Sequence, residues 1–89
     1  MEIGKVIGSV WATRKVDEIN GQKLLVIDLL EGRKKQQETL IVAADVIGAG
    51  IGDLVLLSKG YSARLVTGEG KAIDAAIVGI VDSLDISGY

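Results

Sequence analysis

The 89-residue chain contains no cysteine, no histidine and no proline. Without cysteine there is no disulfide framework, no thiolate metal site and no cysteine nucleophile. Without histidine, the commonest general base and metal ligand is missing. Without proline, no rigid linker divides the chain. Aromatic residues are limited to Trp11, Tyr61 and Tyr89. Ten basic side chains against twelve acidic ones leave a net charge of −2, which offers no broad attraction for nucleic acid or an anionic membrane. No apolar run approaches the roughly 20 residues needed to span a bilayer. The opening Met1-Glu2-Ile3-Gly4-Lys5 lacks the basic and apolar regions of a secretion signal. A soluble intracellular protein is expected.

What the chain does have is aliphatic bulk. Hydrophobic residues make up 48% of it, yet a domain this small buries only about two-thirds of its unfolded surface. The surplus needs a destination, and a subunit interface is the usual one.

The stretch that organises the rest is Asp45-Val46-Ile47-Gly48-Ala49-Gly50-Ile51-Gly52-Asp53, followed by Leu54-Val55-Leu56-Leu57. Gly48-x-Gly50 invites comparison with a phosphate-cradling loop. The dinucleotide fingerprint, however, requires a third glycine where Asp53 stands, and then a helix. The following run is short and rich in Val and Leu, so it reads as a strand. The glycines therefore mark a tight crossing into a central strand, at positions where a Cβ would collide or forbid positive φ. Gly50 in particular is expected to need one or the other.

Five strands are predicted. The first covers Ile3 to Thr13, with apolar residues on both faces and Gly4 and Gly8 notching one of them, as a sharply coiled barrel strand requires. Asn20-Gly21 is the preferred pair for a type I′ turn, ahead of a second strand from Lys23 to Leu30. Its nearly continuous apolar texture predicts burial on both sides. The polar segment 31–38 carries the basic triplet Arg33-Lys34-Lys35 and reads as a solvated hairpin tip. A third strand spans Thr39 to Ala43 and a fourth follows the glycines. Ser62 is placed to cap a helical turn closed by Gly68 and Gly70. The last strand runs from Ala75 to Val81 between Asp74 and Asp82. The expected fold is all-β: a small five-stranded OB-like β-barrel with at most one short helical turn. Residues 1–89 form one domain, with a short tail from about residue 83.

Chemistry has few candidates here. Asp28, Asp45, Asp53, Asp74 and Asp82 show no diagnostic spacing, and Asp at a strand end is ordinarily a turn residue. Lys5, Lys15 and Arg64 are the candidate cations. Ser9, Ser58 and Ser62 lack a histidine partner. The chain is not expected to be an enzyme or to bind a metal or cofactor. An OB-like barrel also raises single-stranded nucleic-acid binding, which uses aromatic platforms in a positive groove. Three aromatic residues on an acidic background make this the second reading. Trp11 is expected in the core or an interface, not on a platform.

Several motifs resemble those of one family in the same order. They are Gly4-Lys5-Val6-Ile7-Gly8-Ser9-Val10-Trp11-Ala12-Thr13-Arg14-Lys15, Gly21-Gln22-Lys23-Leu24-Leu25, Val46 to Asp53, Ser62-Ala63-Arg64 and Asp74 to Asp82. Together they are similar to the EutN/CcmL family of bacterial microcompartment vertex proteins, over almost the whole chain. Two departures stand out: Tyr61 where a small residue is commoner, and Ala72 where a proline often precedes the last strand. The resemblance implies an OB-like barrel that forms homopentamers at the vertices of a cytoplasmic microcompartment shell, beside hexameric shell proteins. It involves no nucleic acid and no membrane. Gly48, Ala49, Gly50, Gly52, Arg64 and Asp74 are the candidate interface or structural residues. Arg64 can present a planar fork to a carboxylate or carbonyls of the next subunit.

Overall fold

The computed structural model describes residues 1–11, 21–30, 39–60, 63, 66–67 and 74–83. Asn20, the basic triplet, Tyr61, Ser62, Arg64, Ala72, Tyr89 and the tail from residue 84 lie outside them. Five strands form a closed barrel: β1 (Glu2–Val10), β2 (Leu24–Leu29), β3 (Leu40–Asp45), β4 (Leu54–Lys59) and β5 (Ala75–Ile80). Around the barrel the order is β1-β2-β3-β5-β4. Every pairing is antiparallel except β3 with β5, which run parallel through Ala44↔Ala76 and Asp45↔Ile77. Ala63, Val66 and Thr67 are helical, and the Thr67 hydroxyl donates to the Ala63 carbonyl at 3.1 Å.

The interior is aliphatic. Val6, Ile27, Val55, Leu57 and Ile77 are fully buried and come from four of the five strands. Alternation sends every second residue of β2 inward, as Leu25, Ile27 and Leu29 show. Gly4 is needed inside. A Cβ there would overlap Ile27 Cγ2 and lie 3.0 Å from the Asp28 carbonyl oxygen.

Three expectations need correction. Gly8 has open space around it and notches nothing. The strand bends instead at a bulge between Val6 and Gly8, where Ile7 is the extra residue opposite Ile27 and Val26. Such a bulge increases local coiling, as the two glycines were expected to do. Second, β2 is not buried on both faces within one subunit, and the apolar outer positions of β1 are open as well. Ile7 is exposed, Leu24 and Val26 are half-buried, and Trp11 is 94% exposed and therefore not core. Their apolar texture reflects an outer wall that is itself aliphatic. Third, β3 continues past Ala43 to Asp45, because β5 joins it there and supplies a second ladder.

Candidate assembly surface and its loop

The register of the β2–β3 hairpin builds the site. Leu24 lies opposite Ala44 and Asp28 opposite Leu40, so one step further Lys23 faces Asp45. The Asp45 N–H donates to the Lys23 carbonyl at 2.8 Å. The Lys23 ammonium lies 3.2 Å from Asp45 Oδ2 and donates to the Ala49 carbonyl at 3.2 Å. The Asp45 side chain is 0% exposed, whereas that of Lys23 is 57% exposed. Asp45 Oδ1 accepts from the N–H groups of Ile47 at 3.1 Å and Gly48 at 3.0 Å. A buried carboxylate is costly unless it is hydrogen-bonded, and here backbone donors converge on it. Burial alone would raise its pKa. The backbone of Ala49 and Ile47, the Lys23 ammonium and the Gly48 N–H together more than reverse that, so the carboxyl sits below its ordinary value.

Eight residues after Asp45, a second aspartate closes a second turn. Gly50 N–H donates to Asp53 Oδ2 at 2.8 Å, and Asp53 N–H donates to the Gly50 carbonyl at 3.0 Å. Ile51 has negative φ and Gly52 has φ +94°, the sign pattern of a type II turn. Gly52 N–H donates to the Val6 carbonyl at 2.8 Å, and Val6 N–H donates to the Asp53 carbonyl at 2.9 Å. The loop is thereby stitched onto β1 beside its bulge.

Of the predicted residues, Gly48, Ala49, Gly50 and Gly52 come together in this loop. Gly48 (φ +86°) and Gly52 need left-handed backbone. Gly50 does not. Its φ is not positive, and a Cβ would lie 3.8 Å from Asp53 Oδ2, an ordinary contact. Within one subunit the expectation for Gly50 therefore fails, because the turn places its strained position two residues later. Ala49 is buried, 2% exposed, in the core cluster. Asp74 lies apart from the loop. Its carbonyl accepts from Gly60 N–H at 2.7 Å and closes the connection between β4 and β5. Arg64 lies outside the described residues.

Sequence reasoning missed the role of Lys23 and treated Asp45 as one carboxylate among five. The signal was the cross-strand pair, readable only once the hairpin register is known. Among the described residues no group of three or more His, Cys, Asp or Glu could hold a metal ion. No helix among them is long and apolar enough to cross a membrane. Asp45 Oδ1 accepts from the loop's own backbone and Oδ2 faces the Lys23 ammonium, so the arrangement holds the loop's shape.

The exterior is the other half of the site. Ile7, Leu40, Val42, Val46, Ile47 and Ile51 are all exposed, Ile51 to 72%. A small closed barrel, with a loop pinned from within and an aliphatic exterior, defines a subunit that works by packing against others.

The comparisons agree with that class. Residues 1–82 match the family described as ethanolamine utilisation protein EutN/carboxysome, and the chain belongs to this family. The bacterial microcompartment shell vertex protein PduN of Salmonella typhimurium is 45% identical over 89 residues, covering 94% of this chain and 98% of its own. The shell vertex protein GrpN of Rhodospirillum rubrum is 44% identical over 86 residues, covering 96% and 97%. The solved GrpN structure, described as a pentameric microcompartment shell protein, matches with a TM-score of 0.83 at 42% identity, covering 97% and 99%. The solved CcmL of Gloeobacter violaceus gives a TM-score of 0.88 at 36% identity, covering 98% and 91%. None of these relatives is named for nucleic-acid binding, and that second reading finds no support.

Proposed function

We propose that the chain is a structural vertex protein: five copies close into a ring that caps a corner of a bacterial microcompartment shell inside the cytoplasm. The carrying observation is the aliphatic exterior of a barrel whose relatives are named shell vertex proteins. Hexagonal tiles cover a plane and cannot close around a volume. A five-membered ring inserted among hexameric shell proteins supplies the missing curvature, through a contact between unlike faces that closes after five copies. The loop residues Gly48, Ala49, Gly50 and Gly52, together with Arg64 and Asp74, shape or adjoin that contact. The chain works as one domain with a short tail from about residue 83. In this reading it is not an enzyme and engages no cofactor, nucleic acid or membrane.

Native mass spectrometry of the purified chain at micromolar concentration tests the ring. A pentamer is expected; a monomer, dimer or hexamer overturns the reading. Co-expression with hexameric shell proteins then tests the vertex role. Closed shells are expected with the chain, and open or elongated assemblies without it.

A further inference from the structure

A closed ring cannot be built from one self-complementary patch. Every copy must offer two different surfaces, each fitting the other on its neighbour. Among the described residues, two aliphatic surfaces are suited to these roles. One is the outer wall of the β1–β2–β3 sheet. Val26 on β2 lies directly opposite Val42 on β3 and opposite Gly8 on β1, next to the bulged Ile7. Ile7 and Val42 are exposed and Val26 half-buried. These residues form an apolar strip across three strands. Its β3 end is also open at the edge. On the side away from β2, β3 is paired with β5 only through Ala44 and Asp45, so residues 40–43 have no strand partner there among the described residues.

The second surface begins where β3 leaves that seam. Asp45 turns its side chain inward, and the two residues after it, Val46 and Ile47, point their aliphatic groups into solvent at 45% and 43% exposure. They cannot fold back over the core, because Asp45 holds the N–H groups of Ile47 and Gly48 on its buried carboxylate. The internal network thus presents two branched aliphatic side chains on a backbone fixed from below. Preorganisation of this kind reduces the ordering cost of association. Exposed β-branched residues on a pinned turn are a knob, and an apolar strip on an open-edged sheet is a seat for one.

Building on the pentameric reading, we infer that the ring contact seats Val46 and Ile47 of one copy against the strip around Val42 of the next. The occupant of each surface is a second copy of this chain. The exposure of both positions allows substitution without touching the core.

The experiment uses two full-length variants, Val42→Asp and Ile47→Asp, with circular dichroism and thermal melting to confirm that each folds as the parent does. Should either aspartate variant fail to fold, the threonine variants Val42→Thr and Ile47→Thr replace the pair. Alone, each variant has one spoiled surface and is expected to lose the pentamer and run as monomer in native mass spectrometry. Mixed in equal amounts, they restore one good contact between the intact knob of the Val42 variant and the intact strip of the Ile47 variant. The expected product is a heterodimer containing one copy of each and nothing larger. If either folded variant remains pentameric, its surface is not in the ring and the inference falls, while the pentamer itself stands. If both are monomeric but the mixture forms no heterodimer, the two surfaces do not meet and the pairing is overturned. A parent that is not pentameric removes the reading on which the inference rests.

Discussion

Two aspartate-closed turns sit within nine residues of one another and differ in almost every physical respect. At the first, Asp45 is fully buried, accepts from two backbone N–H groups and pairs with Lys23 from the neighbouring strand. At the second, Asp53 is half-buried and its side chain accepts from Gly50 within its own four-residue turn. The first is a tertiary device, joining β2, β3 and the loop; the second is local. Position in the sequence gives no hint of this, since both are Asp flanking a glycine run. What separates them is strand register. Asp45 is the last residue of a ladder and brings its side chain into the barrel, while Asp53 precedes β4 and only closes a turn. The same side chain can therefore hold a fold together at one place and merely trim a loop a few residues on.

Removing each carboxylate sharpens the contrast. Asp45→Ala strips the charged acceptor from part-buried donors and leaves Lys23 without its carboxylate. Hydrogen bonds to charged groups contribute about 1.5–3 kcal/mol each and are not additive, so a loss on the order of 3 kcal/mol is expected in urea unfolding. Asp45→Asn keeps an acceptor and should cost less, but it removes the titration. The carboxyl pKa is lowered in the folded chain. Its contribution is therefore complete above the unfolded value of about 3.9 and is lost as pH falls through the folded value. Below about pH 4 the parent should lose stability more steeply than the asparagine variant. Parallel curves would show that Asp45 is not the group responsible.

The glycines come next in size. Gly48→Ala and Gly52→Ala place a Cβ in open space but on left-handed backbone, a cost of about 1–2 kcal/mol. Equal stability of either variant with the parent would mean that the turn can relax out of positive φ.

The smallest effects belong to the local turn. Asp53→Ala should cost about 0.5–1 kcal/mol, the net value of one hydrogen bond. Gly50→Ala should fall within about 0.5 kcal/mol of the parent, as surface changes do. If Gly50→Ala leaves monomer stability unchanged but weakens the pentamer, close approach of a neighbouring subunit is its reason. A large loss of monomer stability would contradict the geometry described for this turn.

Much of the barrel was legible in the sequence. Strand texture located all five strands, because alternating or continuous apolar runs bounded by Gly, Asp and Lys leave few other choices. Its limits came from facts that involve two segments at once. The bulge at Ile7 depends on how β1 meets β2, and the extension of β3 to Asp45 depends on β5. The apolar run of β2 predicts burial on both faces because an apolar outer wall looks the same whether a helix or another subunit covers it. In the loop, the glycine spacing was legible but not which glycines carry positive φ. That follows from where Asp45 and Asp53 place their hydrogen bonds. Lys23 looked like the unremarkable start of a strand until the register set it against Asp45.

The seam between β3 and β5 has a consequence for how the barrel comes together and apart. Among the described residues only two register positions join these strands, in the one parallel pairing seen there, and they link parts of the chain far apart in sequence. Ordering such a loop costs entropy before the contact returns anything. The hairpins on either side can form earlier from nearer neighbours, so closure at Ala44 and Ala76 is expected late in folding. Opening should run in reverse order, with the amide protons along this seam exchanging with solvent sooner than those of the β1–β2 ladder. Asp45 sits in that seam through its backbone, opposite Ile77, while its buried carboxylate ties the end of β3 to Lys23 and to the loop beyond. One residue closes the cylinder with its main chain and anchors the next crossing with its side chain.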